Sequence, residues 1–253
     1  MKEVIIRCED IQEPNVIPWS EALTVDSPCL FYASSIDFET ILPKLHHFLS
    51  IEEHEKALRL RRENQRNTFI LNHSLLRLIL SVKTGISPFQ IGFELGANGK
   101  PYLSQDIRNV HFNISDSEDV CLLGFWSNPL GVDIEQIRSD VEAEAIAARF
   151  FSIRECRHIG HNGPEHFYKY WSRKEAVLKA TGLGITTMLP CIGVVTGINI
   201  LQSGCAGIAH QISENHHVQS FRINGYFASI AASNRIKDVK LCKVKPSNLT
   251  TLL

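Results

Sequence analysis

Trp171-Ser172-Arg173-Lys174-Glu175-Ala176-Val177-Leu178-Lys179-Ala180-Thr181-Gly182 reads as the closing turns of a helix, rich in strong helix formers and stopped by a glycine. Glu175 and Lys179 stand one turn apart on it, with Trp171 one turn before Glu175. Alone, this fits an exposed i,i+4 salt pair adding about 0.3–0.5 kcal/mol. Upstream, Gly131-Val132-Asp133-Ile134-Glu135 reads as a strand whose alternation sends both acids to one face. Alone, that fits a half-buried strand with a solvated acidic face equally well. Together the two segments supply three carboxylates and a lysine, the parts that hold a metal on a phosphate and manage a proton. Oxygen ligands in such small number suit Mg²⁺, whose octahedron is completed by phosphate oxygens and water.

Pro164 suits a first helical turn, so this helix is expected to run from Pro164 to Thr181. Ser139 with Glu142 and Ser152 with Glu155 form capping-box spacings ahead of it, and Ser50 with Glu53 forms another in the first half. Phe69 to Val82 is apolar on most faces and predicts a buried helix ending before Gly85. Short strands follow at Ile91 to Leu95, Val110 to Ile114 and Val120 to Trp126, with the turn Asn98-Gly99-Lys100-Pro101 after the first. Asn224-Gly225 between Phe221 and Ala228 is the signature of a two-residue hairpin turn. The tail after Val239 is polar and reads as peripheral. Two successive blocks of helices then strands give an α+β protein of two halves, residues 1–128 and 129–253.

The 253 residues carry a net charge of −1, which gives no global pull toward nucleic acid or membrane. The first half does hold a basic segment, Lys56, Arg59, Arg61, Arg62, Arg66 and Arg77, opposed by Glu63, which points to a small polyanionic ligand. On a continuous helix Arg66, His73 and Arg77 share one side. No stretch approaches a membrane span, and the first residues lack an apolar signal core. Seven scattered cysteines without a C-x-x-C pair argue against a zinc site or a disulfide framework and for a reducing, cytoplasmic setting. No G-x-S-x-G elbow accompanies Ser115 and Ser117, and the glycine spacings lack a dinucleotide fingerprint.

The ordered set Gly131-Val132-Asp133-Ile134-Glu135, Phe150-Phe151-Ser152 with Glu155, and Trp171-Ser172-Arg173-Lys174-Glu175-Ala176 through Lys179 resembles the 4′-phosphopantetheinyl transferases of the larger, surfactin-synthetase-activating type. Gly99-Lys100-Pro101, Phe112-Asn113-Ile114-Ser115 and the arginine-rich segment Arg61 to Arg77 extend the likeness. The resemblance implies two similar α+β halves related by a pseudo-twofold axis. Each would pack helices on a small, mainly antiparallel sheet, with coenzyme A bound in the cleft between them. It implies transfer of the phosphopantetheine arm to a carrier-protein serine, with release of adenosine 3′,5′-bisphosphate. Asp133, Glu135 and Glu175 would ligate Mg²⁺, Glu175 or a water it holds would serve as base, and Lys179 would steady or protonate the departing phosphate. Lys56, Arg66, Lys100 and Ser115 would contact the coenzyme. Acyl, peptidyl or other carrier proteins would be the partners of a monomer, with fatty-acid, polyketide, nonribosomal-peptide and lysine-pathway carriers all eligible.

One position departs from the family pattern. Where Asn-Ile-Ser-His-Ser is usual, this chain has Asn113-Ile114-Ser115-Asp116-Ser117, placing a carboxylate where a histidine would meet a coenzyme phosphate. His73 and His111 are the histidines that could compensate. The alternative is a non-catalytic carrier-protein or coenzyme-A-binding module of the same fold; a different coenzyme-A-dependent transferase is the third reading.

Overall fold

The computed structural model describes residues 3–104, 107, 109–139, 142–184, 189–201, 212 and 214–253. In chain order its strands are β1 (Ile5–Asp10), β2 (Asn15–Val16), β3 (Cys29–Ser34), β4 (Phe93–Leu95), β5 (Pro101–Leu103), β6 (His111–Ser117), β7 (Val120–Trp126), β8 (Leu130–Gln136), β9 (Gly197–Ile200), β10 (His216–Ile223), β11 (Tyr226–Ala232) and β12 (Lys240–Lys243). Its α-helices are α1 (Trp19–Ala22), α2 (Leu42–His46), α3 (Ile51–Arg59), α4 (Glu63–Thr84), α5 (Ala143–Phe150), α6 (Ile153–Asn162) and α7 (Pro164–Thr181). No helix among the described residues is long and apolar enough to cross a membrane.

The chain forms two compact units, each discontinuous in sequence. The first gathers Met1–Pro14, Ala97–Lys100 and Asn128–Lys237; the second gathers Asn15–Gly96, Pro101–Ser127 and Asp238–Leu253. The N-terminal strand thus belongs with the later residues and the C-terminal segment with the earlier ones.

In the first unit the sheet order is β8-β11-β10-β1-β9, with β1 and β10 parallel and the other pairs antiparallel. Ile6 and Cys8 of β1, Val218 of β10 and Ala231 of β11 meet Phe167, Ala176 and Val177 of α7 in one apolar cluster. The β10–β11 turn is the expected one: Asn224 and Gly225 both take positive φ, 46° and 83°, as a type I′ turn requires. Helix α6 begins at the Ser152–Glu155 capping box, and α7 opens on Pro164 and ends at Gly182 with φ 73°. At α5 the expected box is absent, because the helix starts one residue after Glu142, which itself occupies the cap position without a side-chain bond.

Polar residues on α7 are buried because each has a designated partner. Ser172 Oγ lies 2.8 Å from Ser229 Oγ on β11. Arg173 donates to Ser220 Oγ, to the Val194 carbonyl and to Asp10, at 2.7–2.8 Å. Lys174 pairs with Glu155 at 3.0 Å and donates to the carbonyls of Leu189 and Ile192. Glu155 also accepts from the Val194 N–H, so this fully buried ion pair is hydrogen-bonded on both sides. These anchors, on three successive residues, fix the rotation of α7 about its axis.

In the second unit the sheet order is β2-β12-β3-β7-β6. Strand β12 runs parallel to both neighbours, so this sheet is mixed and not mainly antiparallel. The tail expected to be peripheral therefore supplies an interior strand. Leu241, Cys242, Val244 and Leu249 are all buried, and the apolar alternation that hides them is only two residues deep. Helix α4 buries Leu71, Leu75 and Ile79 against Phe31, Leu123 and Phe125 and ends on Gly85 at φ 75°. Both units thus combine a five-stranded sheet with one long helix, in keeping with an α+β class.

Helix α3 starts at the Ser50–Glu53 capping box. Burial by itself would raise the Glu53 carboxyl, but His73, Arg77 and the Ser50 N–H outweigh it and hold the group at about 2. Folding above pH 4.5 gains from this, and the gain fades as pH falls from 4.5 toward 2. Urea titrations of the wild type and Glu53→Gln should differ by on the order of 2–3 kcal/mol at pH 6 and converge toward pH 2. A constant difference across that range would remove Glu53 from the acid sensitivity.

Cys8, Cys29, Cys121, Cys156 and Cys242 are free thiols. Cys191 is disulfide-bonded, against the expectation of reduced thiols throughout, because scattered spacing carries no information on which cysteines the fold brings together.

Candidate active site on strand β8 and helix α7

The site rests on the close approach of α7 to β8. Strand alternation places Gly131, Asp133 and Glu135 on one face, and Gly131 identifies that face. A Cβ on Gly131 would stand 2.1 Å from the Ala176 carbonyl oxygen and 2.3 Å from the Ala180 nitrogen. The helix backbone therefore lies directly on the strand, and Asp133, two residues on, looks toward the same helix. Lys179 answers it: its Nζ donates to Asp133 Oδ1 at 2.7 Å. Asp133 is 3% exposed, so the pair is more than a solvated surface contact. The reading of Glu175 and Lys179 as an ordinary i,i+4 pair does not describe it, since Lys179 reaches across to the strand.

Glu175 sits one turn earlier. Its Oε1 is buried and has no hydrogen-bond partner. Burial, then the neighbouring Asp133 charge, push its carboxyl up to about 7, with Lys179 opposing. A carboxyl poised there can take or release a proton near neutral pH. Glu135 is half-buried on the same strand face. Among the described residues no three His, Cys, Asp or Glu side chains are gathered into a ready metal cage. The buried, partnerless Glu175 oxygen beside a buried Asp133 is nevertheless the kind of donor set that Mg²⁺ accepts, since that ion needs only one or two carboxylates when phosphate oxygens and waters complete its shell.

Trp171 packs among Phe150, Phe151 and Phe167, ring centroids 5.6–6.2 Å away, at the edge of the apolar cluster. Lys100 is anchored on main-chain carbonyls. Its ammonium donates to the carbonyls of Leu130 at 3.1 Å and Lys179 at 2.6 Å, and burial lowers it to about 8.

The other expected coenzyme contacts lie on the second unit. Lys56 is exposed on α3, with its Nζ 5.2 Å from the Phe69 ring centroid. Arg66 is half-buried in the first turn of α4. Ser115 is buried on β6. Its neighbour Asp116 points to the opposite face, is itself exposed, and its Oδ1 accepts from Asn72 Nδ2 of α4 at 3.3 Å. His73 and Arg77, grouped with Arg66 by helical spacing, are both committed to Glu53, and Arg77 also donates to the Pro88 and Ile91 carbonyls. The basic segment is thus partly structural. Gly131 and the Glu155–Lys174 pair had no role assigned from sequence. A glycine inside a strand is the signal for the first, and the Ser152–Glu155 box for the second.

Fold and site together define an α+β protein that sets two carboxylates and a lysine on one strand–helix face. A family model described as the 4′-phosphopantetheinyl transferase superfamily matches residues 129–230, which contain that face. The chain is 33% identical over 156 residues to the 4′-phosphopantetheinyl transferase ffp of Bacillus subtilis, covering 60% of this chain and 68% of the relative. It is 33% identical over 157 residues to HetI of Nostoc sp., also a 4′-phosphopantetheinyl transferase, covering 59% and 66%. Sfp of Bacillus subtilis strain 168, with the same enzyme name, is 28% identical over 195 residues, covering 74% and 83%. The chain belongs to the 4′-phosphopantetheinyl transferase superfamily, and its matches to ffp and HetI span about two thirds of those relatives' length.

Proposed function

We propose that this protein transfers the 4′-phosphopantetheine arm of coenzyme A to a serine hydroxyl of an apo carrier protein. The observation that supports it most is Glu175, a carboxylate with one buried, partnerless oxygen, beside the Asp133–Lys179 pair. The serine oxygen forms a bond to the phosphorus that bears the pantetheine arm, and the bond from that phosphorus to the nucleotide breaks. Adenosine 3′,5′-bisphosphate leaves. Glu175, or a water it holds, takes the serine proton. Lys179 trades part of its contact with Asp133 for the charge on the departing phosphate, or gives that phosphate a proton. Asp133, Glu135 and Glu175 would hold Mg²⁺, which when bound neutralises charge on the pyrophosphate. Lys56, Arg66 and Ser115 are proposed coenzyme contacts, where ammonium and guanidinium groups suit phosphate. The protein is proposed to act as a cytoplasmic monomer, needing neither nucleic acid nor membrane.

The test is to incubate the protein with coenzyme A, Mg²⁺ and apo carrier domains, and to weigh the carriers. A mass gain of one phosphopantetheine arm is expected. No gain on any carrier that a known transferase modifies counts against the proposal. If coenzyme A nevertheless binds tightly, the non-catalytic module takes its place. Asp116 at the usual histidine position is the residue that favours that second reading.

A further inference from the structure

We infer that Lys100 is a positioning residue that locks the last turn of α7 to the start of β8, in place of the phosphate contact its sequence position suggests. Its kinetic consequence rests on the transferase reading; its structural consequence does not. The ammonium of Lys100 donates to the Leu130 carbonyl at 3.1 Å and the Lys179 carbonyl at 2.6 Å. Leu130 is the first residue of β8, and Lys179 lies in the final turn of α7. Carbonyls of a helix's last turn have no partner within the helix, and a cation is favoured there by the helix dipole.

The same short turn makes a second contact with this helix end. Asn98 Nδ2 donates to the Gly182 carbonyl at 3.0 Å. Gly184 sits so close that a Cβ on it would meet Asn98 Cβ at 3.3 Å. Gly99, at φ 80°, gives the backbone turn that carries Asn98 and Lys100 to these two places. Asn98-Gly99-Lys100 therefore closes α7 from a segment remote in sequence.

The consequence falls on Lys179, which is held at both ends. Its carbonyl is gripped by Lys100, and its Nζ reaches Asp133 at 2.7 Å. Fixing the main chain of Lys179 against the start of β8 sets the separation between the α7 groups and Asp133. A displacement of about 1 Å in such a site can cost about a hundredfold in rate. The ammonium of Lys100, drawn onto two main-chain carbonyls, acts on the machinery and not on the ligand.

The experiment uses the full chain with Lys100→Met, and with Lys100→Gln as a milder variant that still donates a hydrogen bond. Three quantities are read: coenzyme A affinity by calorimetry, transfer rate at saturating coenzyme, and amide exchange across residues 176–182. Lys100→Met should keep coenzyme affinity within about threefold while kcat falls about tenfold or more. Exchange in the last turn of α7 should accelerate. Lys100→Gln should move kcat and exchange in the same direction by less, and it carries the test if the Met variant does not fold. An affinity loss of about tenfold or more with kcat and exchange unchanged would overturn the inference in favour of a phosphate contact. Faster exchange with unchanged kcat would overturn it too, leaving a purely structural clip. If the wild type transfers nothing to any carrier, the functional proposal fails by itself, and unchanged exchange in both variants would then sink the clip separately.

Discussion

Gly131→Ala should be among the most damaging single substitutions in this protein. The added methyl would sit 2.1, 2.3 and 2.8 Å from three backbone atoms of α7, where no side-chain rotation can relieve the clash. Either β8 or α7 must move, and α7 is pinned by Ser172, Arg173 and Lys174 to partners across the first unit. A loss of about 3 kcal/mol or more is expected on chemical denaturation. Any folded fraction should have lost activity as well, because Asp133 on the strand and Lys179 on the helix meet across this contact. Gly160→Ala, inside α6 with nothing within 4 Å of the new methyl, is the control. It should be neutral or stabilise by about 0.5–1 kcal/mol. Equal effects from the two substitutions would mean that α7 does not rest on β8 as described.

Glu175→Gln should remove turnover and leave the fold at least as stable. Loss of a general base costs about 10²–10⁴-fold, whereas glutamine keeps the shape and cannot ionise. The stability effect has a definite sign. The folded protein holds the Glu175 proton more tightly than the unfolded chain, because burial and Asp133 raise the group from 4.5 to about 7. The stability this gives is complete below pH 4.5 and is lost as pH rises through about 7. In metal-free buffer the wild type should therefore weaken relative to Glu175→Gln by on the order of 2–3 kcal/mol between pH 4.5 and 8. Parallel denaturation series at those pH values measure it. Parallel curves with no divergence would show that Glu175 titrates as an exposed carboxylate.

Local signals in the chain located most of the elements. Capping boxes at Ser50 and Ser152, glycine stops at Gly85 and Gly182, and the Asn224-Gly225 turn all act over a few residues, so their physics is visible without knowledge of the fold. What escaped was set by distant partners. Strand β12 is polar at both ends and becomes interior only because β2 and β3 flank it. His73 and Arg77 looked like ligand contacts until Glu53, on another helix, claimed both. The carbonyls that Lys100 reaches lie 30 and 79 positions along the chain, beyond any local signal. At the site itself, Asp133, Glu175 and Lys179 were all named from sequence. Their arrangement was not, because an i,i+4 spacing cannot reveal that Lys179 turns to the strand and leaves a Glu175 oxygen without a hydrogen bond.

Asp133 and Glu175 are proposed to hold a divalent cation together against the phosphates of coenzyme A. Electron paramagnetic resonance of Mn²⁺, titrated into the protein with coenzyme A present, tests it without reference to turnover. Wild-type protein should draw free Mn²⁺ down in a coenzyme-dependent manner, and both Asp133→Asn and Glu175→Gln should leave most of it free. Undiminished Mn²⁺ uptake by both variants would contradict the claim and place the cation elsewhere.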